Sequence, residues 1–222
     1  ISSLIPLVTF DDWKEGSKFA KINISPLYFG KRNLFGEKVF SGIKYLPLEK
    51  KYNKYKRVRK KINKILISMG GSDTHNVTIK ILEKLKNKNI NSTVICGPAS
   101  KLKKSINKYK KNFNIKYNVK DIYKEYLKHD ILICGGGMTP FEAATVGLPS
   151  IVVANELFEI PVCRKLEKMG ISNFLGYHKN ISHKKINLDS NVNKMSINCL
   201  KNIKFFGLKN IKKNIDILMR KN

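Results

Sequence analysis

The residues of this sequence that are best suited to chemistry lie in two glycine-rich turns. The first turn spans residues 70–73, and the second spans residues 135–137, followed by Met138 and Thr139. Glycine lets backbone N–H groups come close to a ligand because no Cβ stands in the way. The N-terminus of a helix also favours an anion. The second turn therefore predicts a diphosphate-binding site, formed by Gly136, Gly137, Met138 and Thr139.

A structural turn would explain the second segment equally well. Thr139 suits a helix N-cap, Pro140 suits the first helical position, and Glu142 completes a capping box three residues after the cap. Gly147 suits the left-handed position just beyond the helix. The segment matches neither GxGxxG nor the P-loop pattern GxxxxGK[ST], which counts against the ligand classes that those motifs bind.

The elements around the turns predict the fold. The apolar segments 131–134 and 151–154 flank the second turn and its helix, which indicates a parallel βαβ unit. Strands at 65–69, 93–96, 113–117 and 173–175 alternate with helices at 76–86, 101–111, 122–127, 160–169, 190–203 and 208–219. This rhythm predicts an α/β fold with a doubly wound parallel sheet. Because ligands bind outside the carboxyl ends of such strands, two glycine turns at that edge favour a nucleotide-type ligand.

The net charge of +28 raises a different possibility, since 44 Lys and Arg residues face only 16 Asp and Glu residues. A chain this basic can bind nucleic acid or an anionic membrane surface, with an affinity that falls steeply with salt. The charge is nearly all Lys, with much Asn, as an AT-rich coding sequence produces for any fold. Base recognition favours Arg, and single-strand binding needs interleaved aromatic residues. Residues 50–64 contain Tyr52 and Tyr55, yet we interpret them as a solvated linker.

The cysteines predict the compartment. Cys96, Cys134, Cys163 and Cys199 lie far apart and form no CxxC pair, so we expect neither a disulfide framework nor a metal site, and no cofactor. This usage is typical of the reducing cytosol and predicts a cytoplasmic protein. No run of about 18 apolar residues occurs, so the sequence predicts no membrane-spanning helix.

Several segments carry a resemblance to a known family. They read MGGSDTHN (69–76), GGGMTPFEAATVGLPSIVV (135–153) and NELFEIPVCRKLEKMGISNFLG (155–176), with GIKYLPL (42–48) before them and FFGLKNI (205–211) after them. Together they resemble the C-terminal half of nucleotide-sugar enzymes of glycosyltransferase-B fold. The sequence is most similar to the UDP-sugar hydrolase of pseudaminic acid biosynthesis and its spore coat polysaccharide relatives, and more broadly to the glycosyltransferase family 28 C-terminal domain.

The resemblance implies a UDP-sugar held in a cleft between two domains. It implies that Glu142 accepts hydrogen bonds from the ribose hydroxyls and that the second turn holds the diphosphate. The first turn would face the phosphates or the sugar, and the polar pair after the strand at 151–154 would contact the sugar or a phosphate. The nucleotide-sugar-binding residues implied in this way are Gly70, Gly71, Ser72, Gly136, Gly137, Met138, Thr139, Glu142, Asn155 and Glu156.

The implied reaction is hydrolysis of the bond between sugar C1 and UDP in surface polysaccharide or nonulosonic acid biosynthesis. The alternatives are a glycosyltransferase that uses the same UDP-sugar donor, a sugar-nucleotide binder without activity, and a charge-driven binding protein. The family's catalytic histidine lies in a glycine-rich motif that this sequence lacks, so we expect the base upstream of Ile1. His75, beside the first turn, is the candidate within the chain. The sequence leaves the oligomeric state open.

The resemblance also predicts the domain organisation. Residues 1–49 would be the C-terminal part of an incomplete N-terminal α/β domain, and residues 50–64 a basic linker. Residues 65–205 would form the Rossmann-like UDP-sugar-binding domain, and residues 206–222 a C-terminal helix. Because the chain begins at Ile1 rather than Met, we expect a fragment or a processed product.

Overall fold

The computed structural model describes residues 5–30, 34–189 and 191–220. It contains two compact units, one formed by Ile1–Lys51 with Ile203–Asn222 and the other by Tyr52–Asn202. The β-strands are β1 (Val8–Phe10), β2 (Ile22–Ser25), β3 (Lys38–Ser41), β4 (Lys64–Ser68), β5 (Asn91–Cys96), β6 (Asn114–Tyr117), β7 (Ile131–Gly135), β8 (Ser150–Ala154) and β9 (Ser172–Tyr177). The α-helices are α1 (Val77–Leu85), α2 (Ile122–Lys128), α3 (Thr139–Thr145), α4 (Glu159–Lys168), α5 (Val192–Asn202) and α6 (Gly207–Met219).

The larger unit is built on a six-stranded sheet in which every neighbouring pair is parallel. The strand order is β6-β5-β4-β7-β8-β9. Numbered within this unit, that order is 3-2-1-4-5-6, the arrangement of dinucleotide-binding Rossmann folds. Every residue of β7 and β8 is buried, as expected for central strands covered by helices on both faces. The predicted doubly wound parallel sheet is confirmed.

The smaller unit also contains a parallel sheet, with the order β1-β2-β3. Its apolar cluster joins Ile22 and Ile24 of β2 to Tyr45 and to Ile211 of α6. Helix α6 packs closely on the turn that follows β3, because a Cβ at Gly207 would overlap the backbone of Leu46. The first strand, Val8–Phe10, is short, and residues 1–4 lie outside the described residues.

Most predicted elements of the larger unit are present, with ends shifted by at most two residues. The helix predicted at 101–111 is the exception, because the structure has only a short 3-10 turn at Asn107–Tyr109. Leu102, Ile106 and Tyr109 are buried at helical spacing, so the periodicity itself was real. Exposed lysines of this segment would lie three or four positions apart on one face of a helix. Their repulsion disfavours a continuous helix. The helix predicted at 190–203 is formed at Val192–Asn202, and Ser190 lies outside the described residues.

Most of residues 50–64 are exposed, as their composition predicts for a solvated linker, but two of them are buried. Tyr52 is buried, its ring stacks on Tyr123 at 3.5 Å, and its hydroxyl donates to Asp121. Arg59 is only 1% exposed, and its guanidinium donates to backbone carbonyls. Long-range contacts therefore fix part of this basic run against the larger unit. None of the helices in the described residues combines the length and the apolar character that a membrane-spanning helix needs.

Candidate functional site

The two glycine turns follow neighbouring strands at the centre of the larger sheet. Ser68, the last residue of β4, pairs with Cys134 near the end of β7, so the two turns begin side by side. From β4 the chain continues to β5 on one side, whereas from β7 it continues to β8 on the other. This reversal leaves a crevice outside the strand ends, where open α/β sheets bind ligands. The structure thus confirms that both turns lie at the same edge.

The first turn is exposed at its two glycines, and its last residue, Asp73, places a carboxylate at the N-terminus of α1. Gly70 has a φ of +82°, which favours glycine, and a Cβ at Gly70 or Gly71 would meet no atom within 4 Å. The buried Asp73 carboxylate accepts hydrogen bonds from the backbone N–H groups of Val77 and Thr78 at 2.8 and 3.0 Å. Because these are the first N–H groups of α1, Asp73 occupies the anion position at this helix end.

The first turn packs against the turn that follows β5. The backbone N–H of Ala99 donates to the carbonyl of Gly71 at 3.0 Å. A Cβ at Gly97 would overlap the backbone carbonyl groups of Gly70 and Gly71. Glycine at position 97 is therefore required for the close approach of the two turns.

The substitution Gly97→Ala should displace the first glycine turn and destabilise the larger unit. Forcing a methyl group against fixed backbone costs about 1–3 kcal/mol, which corresponds to a melting temperature lower by about 5 °C for a chain of this size. Thermal unfolding followed by circular dichroism measures the effect. Gly71→Ala is the matched control, because its Cβ would enter open space. An equal loss of stability in both variants would contradict the packing argument.

The second turn leads into α3, which starts one residue earlier than the capping-box prediction requires. Met138 already has helical backbone angles, and its carbonyl accepts hydrogen bonds from the N–H groups of Phe141 and Glu142 at 3.0 and 3.1 Å. Thr139 is therefore the first helical residue and not the N-cap, so the predicted capping box with Glu142 is wrong. The predicted helix end is confirmed, since Gly147 has a φ of +76°.

Glu142 lies on the first turn of α3 and is partly exposed. The hydroxyl group of Tyr126 donates to its Oε2 atom at 3.4 Å. Tyr126 is 1% exposed, and burial, followed by the charge of Glu142, raises the pKa of its phenol well above the usual value. The phenol therefore stays a hydrogen-bond donor toward the carboxylate at neutral pH. Gly137, Met138 and Thr139 precede Glu142 and are also partly exposed.

Glu159, at the start of α4, belongs to the same region and was missed in the sequence. Its Oε2 atom accepts a hydrogen bond from the backbone N–H of Asn155 at 2.7 Å. Burial raises the pKa of this carboxyl group, while hydrogen bonds from the backbone of Asn155, Glu156 and Gly136 lower it by a smaller amount. A Cβ at Gly136 would lie 2.6 Å from the Cys163 sulfur. Glu159 thus ties the second glycine turn to the loop after β8.

Three further side chains meet beside the first turn. The Nε2 atom of His75 lies 2.9 Å from the Glu156 carboxylate, and the His75 ring stacks on His178 with 3.8 Å between centroids. His178 is 5% exposed, and its two ring nitrogens have no hydrogen-bond partner among the described residues. Burial, and then the neighbouring His75 and Lys80, lower the pKa of His178. The structure therefore brings Glu156 and His75 together, although the resemblance implies separate roles for them.

The other predicted site residues also lie at the edge of the larger sheet where the two glycine turns begin. Ser72 lies within hydrogen-bond distance of Thr74, at 3.1 Å between their hydroxyl oxygens. Asn155 packs on the second turn, since a Cβ at Gly135 would lie 2.5 Å from its side-chain amide nitrogen. Leu157, in the same loop, is 67% exposed. Among the residues that the structure describes, no group of three or more His, Cys, Asp and Glu side chains is arranged to hold a metal ion.

Comparison with known proteins places this site in a family. Residues 48–158, half of the chain, match the family model described as the glycosyltransferase family 28 C-terminal domain. The chain is 34% identical over 174 residues to the uncharacterized protein MJ1062 of Methanocaldococcus jannaschii, and the match covers 68% of this chain. The chain spans only 36% of the length of that archaeal protein.

Solved structures of glycosyltransferases share the fold. MurG of Acinetobacter baumannii aligns with a TM-score of 0.62 at 17% identity, covering 96% of this chain and 67% of its own. The spinosyn rhamnosyltransferase SpnG, complexed with thymidine diphosphate, aligns with a TM-score of 0.53 at 14% identity, covering 82% of this chain and 52% of its own. The matched family segment contains both glycine turns and the loop after β8. The chain therefore belongs to the family of the glycosyltransferase family 28 C-terminal domain and has an α/β fold of glycosyltransferase-B type.

Proposed function

We propose that the chain forms the donor-binding part of a glycosyltransferase that uses a UDP-sugar. The observation that carries this proposal is the position of the two glycine turns, which lie side by side at the point where the strand order reverses. That crevice is where folds of this type bind nucleotides. The family match, residues 48–158, includes both glycine turns, Glu142, Asn155 and Glu156, and the structural relatives are glycosyltransferases.

In this proposal the diphosphate lies against the start of α3. Gly136 is buried and its backbone N–H is directed to Glu159, so it shapes the turn. The backbone N–H groups of Gly137, Met138 and Thr139, with the Thr139 hydroxyl, would donate to the phosphate oxygens. Glu142 follows one helical turn later and would accept hydrogen bonds from the ribose hydroxyls. The open first turn, Gly70, Gly71 and Ser72, would face the sugar or the β-phosphate, as would Asn155 and Glu156.

The chemistry requires departure of UDP from sugar C1. Backbone donors at the start of α3 would stabilise the negative charge that develops on the leaving diphosphate. A base would activate the acceptor hydroxyl of a transferase, or water in a hydrolase. The hydrolase remains the second candidate, favoured by the motifs GIKYLPL and FFGLKNI, which resemble those of the pseudaminic acid hydrolase family. His75 is the candidate base within the chain, because the Glu156 carboxylate orients its ring. We propose a cytoplasmic location, since the four cysteines are free and buried.

Calorimetric titration of UDP into the chain tests the proposal. We expect a dissociation constant in the micromolar range that changes little between 0.1 and 0.5 M NaCl, because short hydrogen bonds in a crevice are screened less than surface charges. CMP, which lacks both the uracil base and the second phosphate, should bind at least about tenfold more weakly, one factor of ten being about 1.4 kcal/mol. Titration of thymidine diphosphate distinguishes the two pyrimidine nucleotides. A folded chain that binds no nucleoside diphosphate would overturn the assignment of the site.

A further inference from the structure

Two grooves lined with lysine lie next to each other on the larger unit. The first has a volume of about 720 Å³ and lies between the end of α1 and the turn before β6, where Lys86, Lys110 and Lys111 line it. The second has a volume of about 820 Å³ and lies between α1 and residues 182–189, where Lys185 lines it. Lys88 lines both grooves. We call this region, defined by these five lysines, the lysine surface.

The lysine surface has little compensating charge. Among the described residues that line the grooves, the first contains no acidic side chain and the second contains only Asp189. Lys86 pairs with Glu83 at 2.7 Å, while the described part of the chain shows no ion pair for Lys88, Lys110, Lys111 or Lys185. Like charges at close range repel one another, so this group of lysines destabilises the folded state. Binding of an external anion would relieve the repulsion.

The end of a helix explains only part of the surface. Lys86 and Lys88 follow α1, where cations interact favourably with the helix dipole. Lys110 and Lys111 precede β6, and Lys185 lies in the segment after β9, so none of these three lysines follows the C-terminal end of a described α-helix. Three chain segments distant in sequence thus converge their lysines on one region, which a composition rich in lysine does not by itself produce.

The first groove lies at the opposite edge of the sheet from the glycine turns. It is lined by the first residues of β5 and β6, Asn91 and Asn114, whereas the glycine turns follow the last residues of β4 and β7. Strands of five or six residues separate the two edges by roughly 17–20 Å. A partner bound to the lysine surface would therefore leave the candidate nucleotide site open.

We infer that the lysine surface docks the protein on an anionic phospholipid bilayer. The bilayer offers phosphate groups at high density, and each lysine near such a surface contributes about 1 kcal/mol. The exposed lining residues are Lys, Asn and Ser, together with His183 and Asp189, and no Arg lines either groove. Phe113, the aromatic residue that lines the first groove, is buried. Bidentate base readout lacks an Arg side chain here, and His183 is the one exposed ring among the described lining residues, so the chemistry fits lipid headgroups better than a nucleic acid.

Cosedimentation with vesicles tests this inference. The full chain is mixed with vesicles of equal parts phosphatidylcholine and phosphatidylglycerol, or of phosphatidylcholine alone, in 0.1 M NaCl. We expect binding only to the anionic vesicles, with loss at 0.5 M NaCl because the screening length shortens. The triple variant Lys88→Glu, Lys111→Glu, Lys185→Glu should bind about 100-fold more weakly, since each lysine contributes roughly a fivefold factor.

The control is a second triple variant with the same change in net charge, Lys124→Glu, Lys168→Glu, Lys194→Glu, at exposed positions on other helices. It should retain binding to within about threefold, and circular dichroism should show both variants folded. Equal losses in the two variants would overturn the inference, because the binding would then follow total charge. Absence of vesicle binding would overturn it too. Binding to a 20-base-pair DNA duplex that the first variant loses, without vesicle binding, would show a nucleic-acid surface instead.

Discussion

Glu142→Ala should weaken UDP binding about 30-fold while the chain stays folded. The proposed ribose contact consists of two hydroxyl groups that donate to one carboxylate, and hydrogen bonds to charged groups contribute about 1.5–3 kcal/mol each before competition with water. Glu142 is partly exposed, so the net loss should be near 2 kcal/mol, which corresponds to about 30-fold in the dissociation constant. Calorimetric titration of UDP into the variant measures it.

Two further variants separate ribose binding from a structural role of Glu142. Glu142→Gln keeps the shape and one acceptor oxygen, and it should lose about fivefold. Tyr126→Phe removes only the hydroxyl that donates to Glu142, and UDP binding should change by less than about threefold. If Glu142→Ala bound UDP like the unaltered chain, the ribose assignment would be wrong. If Tyr126→Phe lost as much as Glu142→Ala, Glu142 would act through its position in the fold.

The parts of the site that could be predicted from the sequence are those that local chemistry determines. Gly147 ends α3 because glycine tolerates a positive φ, and this requirement is visible in a short window of sequence. Apolar runs such as 131–134 mark buried parallel strands in the same way. Two such strands, each followed by glycine, suffice to place both turns at one edge, since all carboxyl ends of a parallel sheet lie together.

Residues whose role depends on distant contacts could not be predicted. Glu159 lies at the start of a helix, where exposed carboxylates are common, so its sequence position does not mark it as part of the site. Only the fold brings it to the backbone of Gly136, 23 positions earlier. Arg59 lies in a run of lysines that indicates a solvated linker, yet its partner Val146 is 87 positions away. The start of α3 was misplaced by one residue because the backbone angles of Met138 follow from the glycine turn before it. Local patterns contain none of this information.

Arg59→Met should lower the stability of the larger unit more than any other change considered. Its guanidinium is buried and donates to the carbonyl of Tyr126 at 2.8 Å and to that of Val146, near the ends of α2 and α3. Burial lowers the pKa of Arg59 to about 10, so the group remains a cation at neutral pH and suits the negative ends of both helices. Methionine keeps much of the apolar length but removes the charged donor from both carbonyl groups, and the Val146 carbonyl keeps only the backbone N–H of Arg57 at 3.2 Å. We expect a loss of about 4 kcal/mol, measured by urea unfolding.

Arg59→Met should be destabilising because the hydrogen-bond partners of Arg59 are backbone groups. Replacing a buried ion pair with apolar residues is often neutral, because both polar partners are removed together. Here both carbonyls stay after the substitution and each loses a charged hydrogen-bond donor, and a hydrogen bond to a charged group contributes about 1.5–3 kcal/mol. Lys60→Met, at the exposed neighbouring position, removes the same charge and should change stability by less than about 0.5 kcal/mol. Arg59→Lys should fall between them, since one ammonium cannot reach carbonyls at both helix ends. A loss below about 1 kcal/mol in Arg59→Met would show that water replaces the guanidinium.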